Sequence, residues 1–390
     1  MSKKTKRAFI NVFILFAFSF VVIFLFVQKD FDEIVQIMKT ANILMLFITL
    51  AIFLLTYLVD GMIIWISAKK YSSSYNLFEG INVSLIGAFF SAITPSATGG
   101  QFAQAYILRK QDIKVEKSAN MLVLNFIAYE LSIIMYCAVT ITISYIFNFN
   151  TIHHIELFGF DFNFIILSLI GFAIHIIGIT GIILLSYSPW VNRFAFWVVK
   201  MLNKMHILKD KDYIIVNGKI EKKINFFRDE LKDIKGNFKI FLPMLLLHII
   251  KYTISFSIPF FVALTLNMKL SFVELGSAII LSSFLHLIIT YIPIPGASGG
   301  SELFYAVIFR NFFKTSANVT SSLLIWRFIT FYVGLLIGFI ATMSFNHRKK
   351  TKLITETLQD TKIPTNISSI DESIIDEVNE EKKVKKDEDV

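Results

Sequence analysis

The sequence predicts an all-α polytopic membrane protein, with about six spanning helices and two oppositely oriented re-entrant helical hairpins that form an inverted repeat. Three observations carry that expectation. Hydrophobic residues make up 55% of the 390 positions, with 41 Phe and a mean hydropathy of +0.64, well above the usage of soluble domains. Apolar runs long enough to cross ~30 Å of hydrocarbon begin near Ala8, Ile43, Ala119, Phe164 and Phe241, and a less uniform one covers 319–345. Finally, TPSATGGQ at Thr94–Gln101 returns as IPGASGGSE at Ile294–Glu302, so Pro and Gly–Gly interrupt an apolar segment twice.

The elements follow in order. KKTKR precedes an apolar run to Val27 that is too long for a signal-peptide core and lacks a small-x-small cleavage site, so 8–27 is read as a retained first helix. Lys3, Lys4, Lys6 and Arg7 place the N-terminus in the cytoplasm, the segment 28–40 outside, and a second helix, 41–66, returning to Lys69 and Lys70. The next segment, 77–110, decides the topology. If it crossed, Arg109, Lys110, Lys114 and Lys117 would lie outside, helices 118–147 and 164–186 would be inverted, and the lysine-rich stretch 190–240 would be exported. Loop 148–163, which has no Lys or Arg, would be internal. A hairpin that enters from the cytoplasm, breaks at Pro95–Gly100 and goes back avoids all of this. By the same argument helix 240–266 leads outward and 272–310 re-enters from the outer side, because a crossing there would send the last helix, 319–345, outward with HRKKTK. The rival reading is a pair of Pro/Gly kinks within ordinary spanning helices.

At each break a second arm starts just after Gly–Gly, so its first N–H groups lack intrahelical acceptors and favour an anion. Thr94, Ser96, Gly99, Gly100 and Gln101 at the first break, with Thr98 beside them, and Ser298, Gly299, Gly300, Ser301 and Glu302 at the second, form the candidate substrate site. A phosphate-bearing headgroup is the natural guest; the GxxxxGK[ST] spacing of a nucleotide loop is absent. The plainer alternative is that small residues let helices pack closely.

Ionisable residues inside apolar runs cost about 2.5–3.5 kcal/mol or more each unless paired or hydrated. Asp60, Glu130, His175, His248, Lys251, His286 and Arg327 are the set. Asp60, Glu130 and Arg327 join the candidate site; Glu130 and Arg327 are either functional or an ion pair holding the bundle together. His248 and Lys251, one turn apart, present one polar face or leave Lys251 to balance an acid, and His175 is read as a packing histidine. No cofactor, metal site or nucleophile–base arrangement is indicated. Cys137 is the lone cysteine, so no disulfide framework exists. The net charge of +9 sits in blocks between apolar runs and orients the chain, with no nucleic-acid partner implied.

A membrane domain of 1–346 is expected to include a cytoplasmic amphipathic segment, 187–240, lying on anionic lipid, with a small cytosolic domain as the other reading. Residues 347–390 read as a disordered charged cytosolic tail. The Asn-x-Ser/Thr triplets at Asn82, Asn318 and Asn366 are short enough to arise by chance.

The stretches PSATGGQFAQAYILR and PIPGASGGSELFY resemble the membrane region of lysylphosphatidylglycerol synthases and of shorter flippase-like integral membrane proteins, over about residues 5–345. In full-length synthases the membrane region is taken to move aminoacylated lipid between leaflets, while a separate cytosolic domain transfers the amino acid from its tRNA. No residues for aminoacyl transfer are found after the last helix. The resemblance implies a plasma-membrane lipid translocase acting on a phospholipid substrate, with room for a separate lipid-modifying enzyme as a partner; the charge pattern sets both termini in the cytoplasm. Two alternatives stand beside it. One is a membrane subunit of, or a protein named as, phosphatidylglycerol lysyltransferase, tied to cationic antimicrobial-peptide resistance; the other is a small-solute or ion-coupled secondary transporter.

Overall fold

A computed structural model describes residues 30–147, 154–157, 160–187 and 238–345, with isolated positions at 24, 27, 28, 197 and 236. Nearly all of the expected first helix and of the lysine-rich segment, and the whole tail, lie outside the described residues. Two compact units divide the chain, Met1–Thr342 and Met343–Val390; the described part of the second, 343–345, is helical.

Helix α1, Phe31–Lys39, is followed by α2, Ile43–Lys69, whose start is capped by Asn42 accepting from the Met45 N–H at 3.1 Å. The first hairpin is α3, Leu77–Ala92, a 3₁₀ turn at Pro95–Ala97, and α4, Gly99–Lys110. Helix α5, Val115–Ile146, leads to two short antiparallel strands, β1 His154–Leu157 and β2 Phe160–Asn163, in which His154 pairs with Asn163. Then come α6, Phe164–Tyr187, and α7, Phe238–Thr265. The second hairpin is α8, Phe272–Ile289, a 3₁₀ turn at Pro295–Ala297, and α9, Gly300–Ile308. Short α10, Arg310–Phe313, precedes α11, Ser316–Arg327, which passes through a π turn at Phe328–Val333 and continues helically to Phe345.

Among the described residues five helices are long and apolar enough to cross a membrane: α2, α5, α7, α8 and the continuous stretch Ser316–Phe345. Four of these are expected spans; α8 is the expected first arm of a hairpin, and at 18 residues it is about 27 Å long before the chain turns back. Two details differ from expectation. Segment 28–40, read as a connection, contains α1, whose Ile34 is buried. The two strands add a small β element to the otherwise helical fold.

The hairpins close on themselves. Both first arms start with a capping box: the Glu79 N–H donates to Asn76 Oδ1 while Glu79 Oε2 accepts from the Asn76 N–H, each at 2.9 Å. Ser271 and Glu274 repeat the arrangement at α8, the Ser271 N–H donating to Glu274 Oε2 at 2.8 Å. At the far end of α4, Gln111 Nε2 donates to the Glu79 carbonyl at 3.2 Å and Gln111 Oε1 accepts from the Tyr75 hydroxyl at 2.8 Å. Chain leaving the hairpin is thereby tied to chain entering it. Burial, then the nearby Glu79 carboxylate, push the Tyr75 phenol well above its usual range, so it stays protonated to donate. Lys314, just past the second hairpin, acts electrostatically on Glu274 at that hairpin's start.

Their opposite sense follows from α2 and α7. The Asn42 N–H, at the start of α2, donates to the Thr265 carbonyl, at the end of α7, at 2.7 Å. Midway along both, Lys251 Nζ meets Asp60 Oδ1 at 2.7 Å. The helices are therefore antiparallel, and hairpins that follow their C-terminal ends enter from opposite ends of the pair. Helix plus hairpin thus occurs twice in inverted sense, as in transporters built from inverted repeats.

Candidate functional site

The two broken turns, Pro95–Ala97 and Pro295–Ala297, touch each other. Entered from opposite ends, the hairpins therefore meet tip to tip inside the bundle.

At the first tip Ser96 and Ala97 adopt left-handed backbone, φ 49° and 54°. The turn is held by Thr94, whose hydroxyl donates to the Phe90 carbonyl at 2.7 Å and accepts from the Gly99 N–H at 2.9 Å. Of the N–H groups expected to be open to a ligand, that of Gly99 is consequently occupied from within. Thr98 donates to the Pro95 carbonyl at 3.0 Å. Gly100 is the point of closest approach between the arms: a Cβ there would lie 1.9 Å from Ser91 Oγ and 2.8 Å from the Gly87 carbonyl oxygen. Ser96, Thr98 and Gln101 are exposed, whereas Thr94 and Gly99 are partly covered and Gly100 is buried.

The second tip shares the left-handed turn and then departs from the first: Ser298 is extended, with ψ 139°, where Thr98 is helical, with ψ −26°, and the chemistry differs too. Gly296, Ala297 and Gly299 have φ 61°, 49° and 86°. A Cβ on Gly296 would fall 2.3 Å from the Phe331 ring, so space decides for glycine here, where Ser96 takes a similar φ at the first tip. Glu302 is fully buried at 0% exposure; its Oε2 accepts from the Gly299 N–H at 2.7 Å and from the Ser301 hydroxyl at 2.8 Å. Its Oε1 lies 2.8 Å from Nε of Arg327, itself 4% exposed. Arg327 Nη2 donates to the Gly296 carbonyl at 3.0 Å and to Ser298 Oγ at 2.9 Å, and its guanidinium sits 4.1 Å above the Phe331 ring. Trp326 stacks on Tyr305 at 4.6 Å, which holds α11 against α9 and brings the adjacent Arg327 to Glu302. A buried carboxylate and a buried guanidinium thus satisfy one another, and at this tip the helix N-terminus is capped internally. The π turn begins at the residue after Arg327, where such irregularities accompany functional sites.

Glu130 and Arg327 do not pair with one another, which corrects the ion-pair reading of the sequence: each has a nearer partner. Glu130 Oε2 is 2.8 Å from His175 Nδ1, and both are buried. His175 is therefore more than a packing residue, and the stack of its ring on His286, at 6.3 Å with 12° between planes, extends the cluster to α8. Asp60 is matched by Lys251, which settles Lys251 as the balance of an acid. His248 faces the other way, its Nε2 2.9 Å from Asn125 Oδ1. Three polar groups thus emerge: the touching tips with Arg327, the Glu130–His175–His286 cluster, and the Asp60–Lys251 pair. Among the described residues no cluster of His, Cys, Asp or Glu could hold a metal ion. The capping boxes Asn76–Glu79 and Ser271–Glu274 were overlooked in the sequence although the spacing of S/T/N and Glu shows them; the Glu302–Arg327 pairing had no local signal, since its partners are 25 positions apart.

Comparison with known proteins accords with this geometry. A curated UPF0104 membrane protein of Archaeoglobus fulgidus is 24% identical over 322 residues, which cover 78% of this chain and 88% of the relative. The family described as "Lysylphosphatidylglycerol synthase TM region" matches residues 10–338. That match takes in α1 to α11 and both broken hairpins, and the chain belongs to the lysylphosphatidylglycerol synthase transmembrane-region family.

Proposed function

We propose that the chain is a lipid translocase that passes a phospholipid, anionic or aminoacylated phosphatidylglycerol, between leaflets. The observation that carries this reading is the contact between two Gly-containing tips entered from opposite ends. Between them they divide the hydrocarbon layer, so a headgroup need leave the reach of one only to meet the other. The exposed Ser96, Thr98 and Gln101 receive the headgroup, acyl tails stay in lipid, and the second tip, locked by Glu302 and Arg327, is the part that must yield for passage. Thr94, Gly99 and Gly100 shape the first tip, and Ser298, Gly299, Gly300 and Ser301 the second; Asp60 and Glu130 lie off the headgroup path. The protein is placed in the plasma membrane with both termini cytoplasmic, a membrane domain of 1–346 and a tail of 347–390. Supporting that orientation, Lys117 Nζ lies 5.2 Å over the Tyr71 ring, which brings the Lys114–Lys117 cations to the same end as Lys69 and Lys70.

The test is leaflet exchange of headgroup-labelled phosphatidylglycerol and its lysyl derivative in proteoliposomes. Native protein accelerates exchange, and Ser96→Ala with Gln101→Leu slows it by several-fold to tenfold per hydrogen bond lost, about 0.5–1.5 kcal/mol each. Melting stays unchanged because both positions are exposed. The family description favours a second reading, the membrane part of a phosphatidylglycerol lysyltransferase assembled with a separate catalytic protein. Absence of exchange for either lipid, together with loss of the lysyl lipid from cells lacking the protein, would replace the first reading with the second.

A further inference from the structure

The translocation reading leaves a second deeply buried titratable couple without a role. Glu130, in the middle of α5, and His175, in the middle of α6, meet at 2.8 Å with exposures of 8% and 1%. Nδ1 of His175 faces the carboxylate, while its Nε2 is buried without a hydrogen-bond partner. The His175 ring lies parallel to that of His286 and 5.1 Å from the ring of Tyr291, a residue 41% exposed. His286 is on α8 and Tyr291 lies between α8 and the second tip, so the His175 ring packs against the second hairpin.

The neighbouring groups leave this couple to compensate itself. From α5, the Tyr129 hydroxyl is 3.4 Å from His286 Nε2. From α7, Tyr252 lies against His286 at 5.9 Å between ring centroids, and His248 is turned to Asn125. The nearest fixed cation, Lys251, is held by Asp60 of α2. Glu130 ionised beside a neutral imidazole leaves a net negative charge in a low-dielectric interior, and one proton added at His175 Nε2 cancels it. That proton then sits on an N–H lacking an acceptor, which is a reason for the adjacent hairpin to move and supply one. Tyr291, whose ring lies 5.1 Å from that of His175, carries a hydroxyl able to accept it.

We propose that the Glu130–His175 pair is a proton-binding site coupled to passage of the lipid. A proton taken from one aqueous side onto His175 Nε2 draws the Tyr291 segment of the second hairpin toward α6, and its release to the other side frees the hairpin; no other bond is made or broken. This proposal rests on the translocation reading, deepening it by naming what drives the step.

The experiment uses proteoliposomes containing headgroup-labelled phosphatidylglycerol and a trapped pH dye, with the membrane potential clamped at zero by potassium and valinomycin. With one proton per lipid, a gradient of one pH unit shifts the native leaflet distribution from even toward about tenfold, and labelled lipid moves with dye-reported protons. Glu130→Gln and His175→Gln abolish the response of the distribution to the gradient, whatever exchange they retain; Tyr291→Phe weakens the shift. Native exchange that ignores the gradient overturns the coupling and leaves translocation standing. If no lipid moves, translocation falls, and with it the coupling. ¹⁵N spectra of His175 in nanodiscs then decide the proton site: a ring whose protonation changes with buffer pH in native protein and differently in Glu130→Gln supports it, and a ring fixed in one state overturns it.

Discussion

Arg327 shows how one side chain can hold a broken helix tip in place. Its guanidinium joins a carboxylate, a backbone carbonyl and a hydroxyl of the same tip, all inside the bundle. Removing only one member of such a pair leaves a buried uncompensated charge, which costs about 3–5 kcal/mol. Arg327→Met is therefore expected to lower the melting temperature in detergent more than Arg327→Met combined with Glu302→Met, a double-mutant comparison that equal losses would contradict. Gly100 acts by absence. Gly100→Ala pushes a methyl against Ser91 Oγ and the Gly87 carbonyl and is expected to destabilise by about 1–3 kcal/mol; Ser91→Ala restores part of that, since only the hydroxyl is removed and the carbonyl remains. At this scale the glycines were legible, because a Gly–Gly pair weakens any helix it sits in and marks a turn or a close backbone approach. The partner of Arg327 was not, since charge alone pointed to Glu130.

The hairpins are the element on which function turns. Their existence was readable from lysines that would otherwise be stranded outside, and the ties from Gln111 to Tyr75 and Glu79 make the return physical. That the broken helices meet follows from the inverted repeat itself; which residues touch was not legible, because neither turn carries a charge or pattern addressed to the other. In a background with Cys137 replaced, cysteines placed one in Pro95–Ala97 and one in Pro295–Ala297 are expected to cross-link readily, and the cross-linked protein to stop exchanging lipid until reduced. Failure to cross-link across every pairing of these six positions would mean the tips are apart in the membrane. Helix α1 was missed for a different reason: at nine residues, it is too short for hydrophobic run length to register.

Among the described residues, two helix-plus-hairpin units run in opposite sense with α5, α6 and α11 packed against them. Charge fixed that arrangement in advance because positive clusters constrain sidedness even where they say nothing of packing. Cysteines at Asp112 and at Lys314, the exits of the two hairpins, are expected to react with a membrane-impermeant reagent from opposite sides in oriented vesicles; labelling from one side would dissolve the inverted repeat. The meeting of the tips also has an electrical consequence. If water reaches the tips from both faces in the proposed cycle, the transmembrane voltage falls across the thin septum between them instead of over the full ~30 Å of hydrocarbon. A singly charged headgroup slipping past that septum crosses most of the field in one short step, worth about 2.3 kcal/mol per 100 mV. On the proposed translocation, the septum would be the place where the cell's voltage acts on the lipid, favouring one leaflet for an anionic headgroup and the other once lysine has reversed its charge.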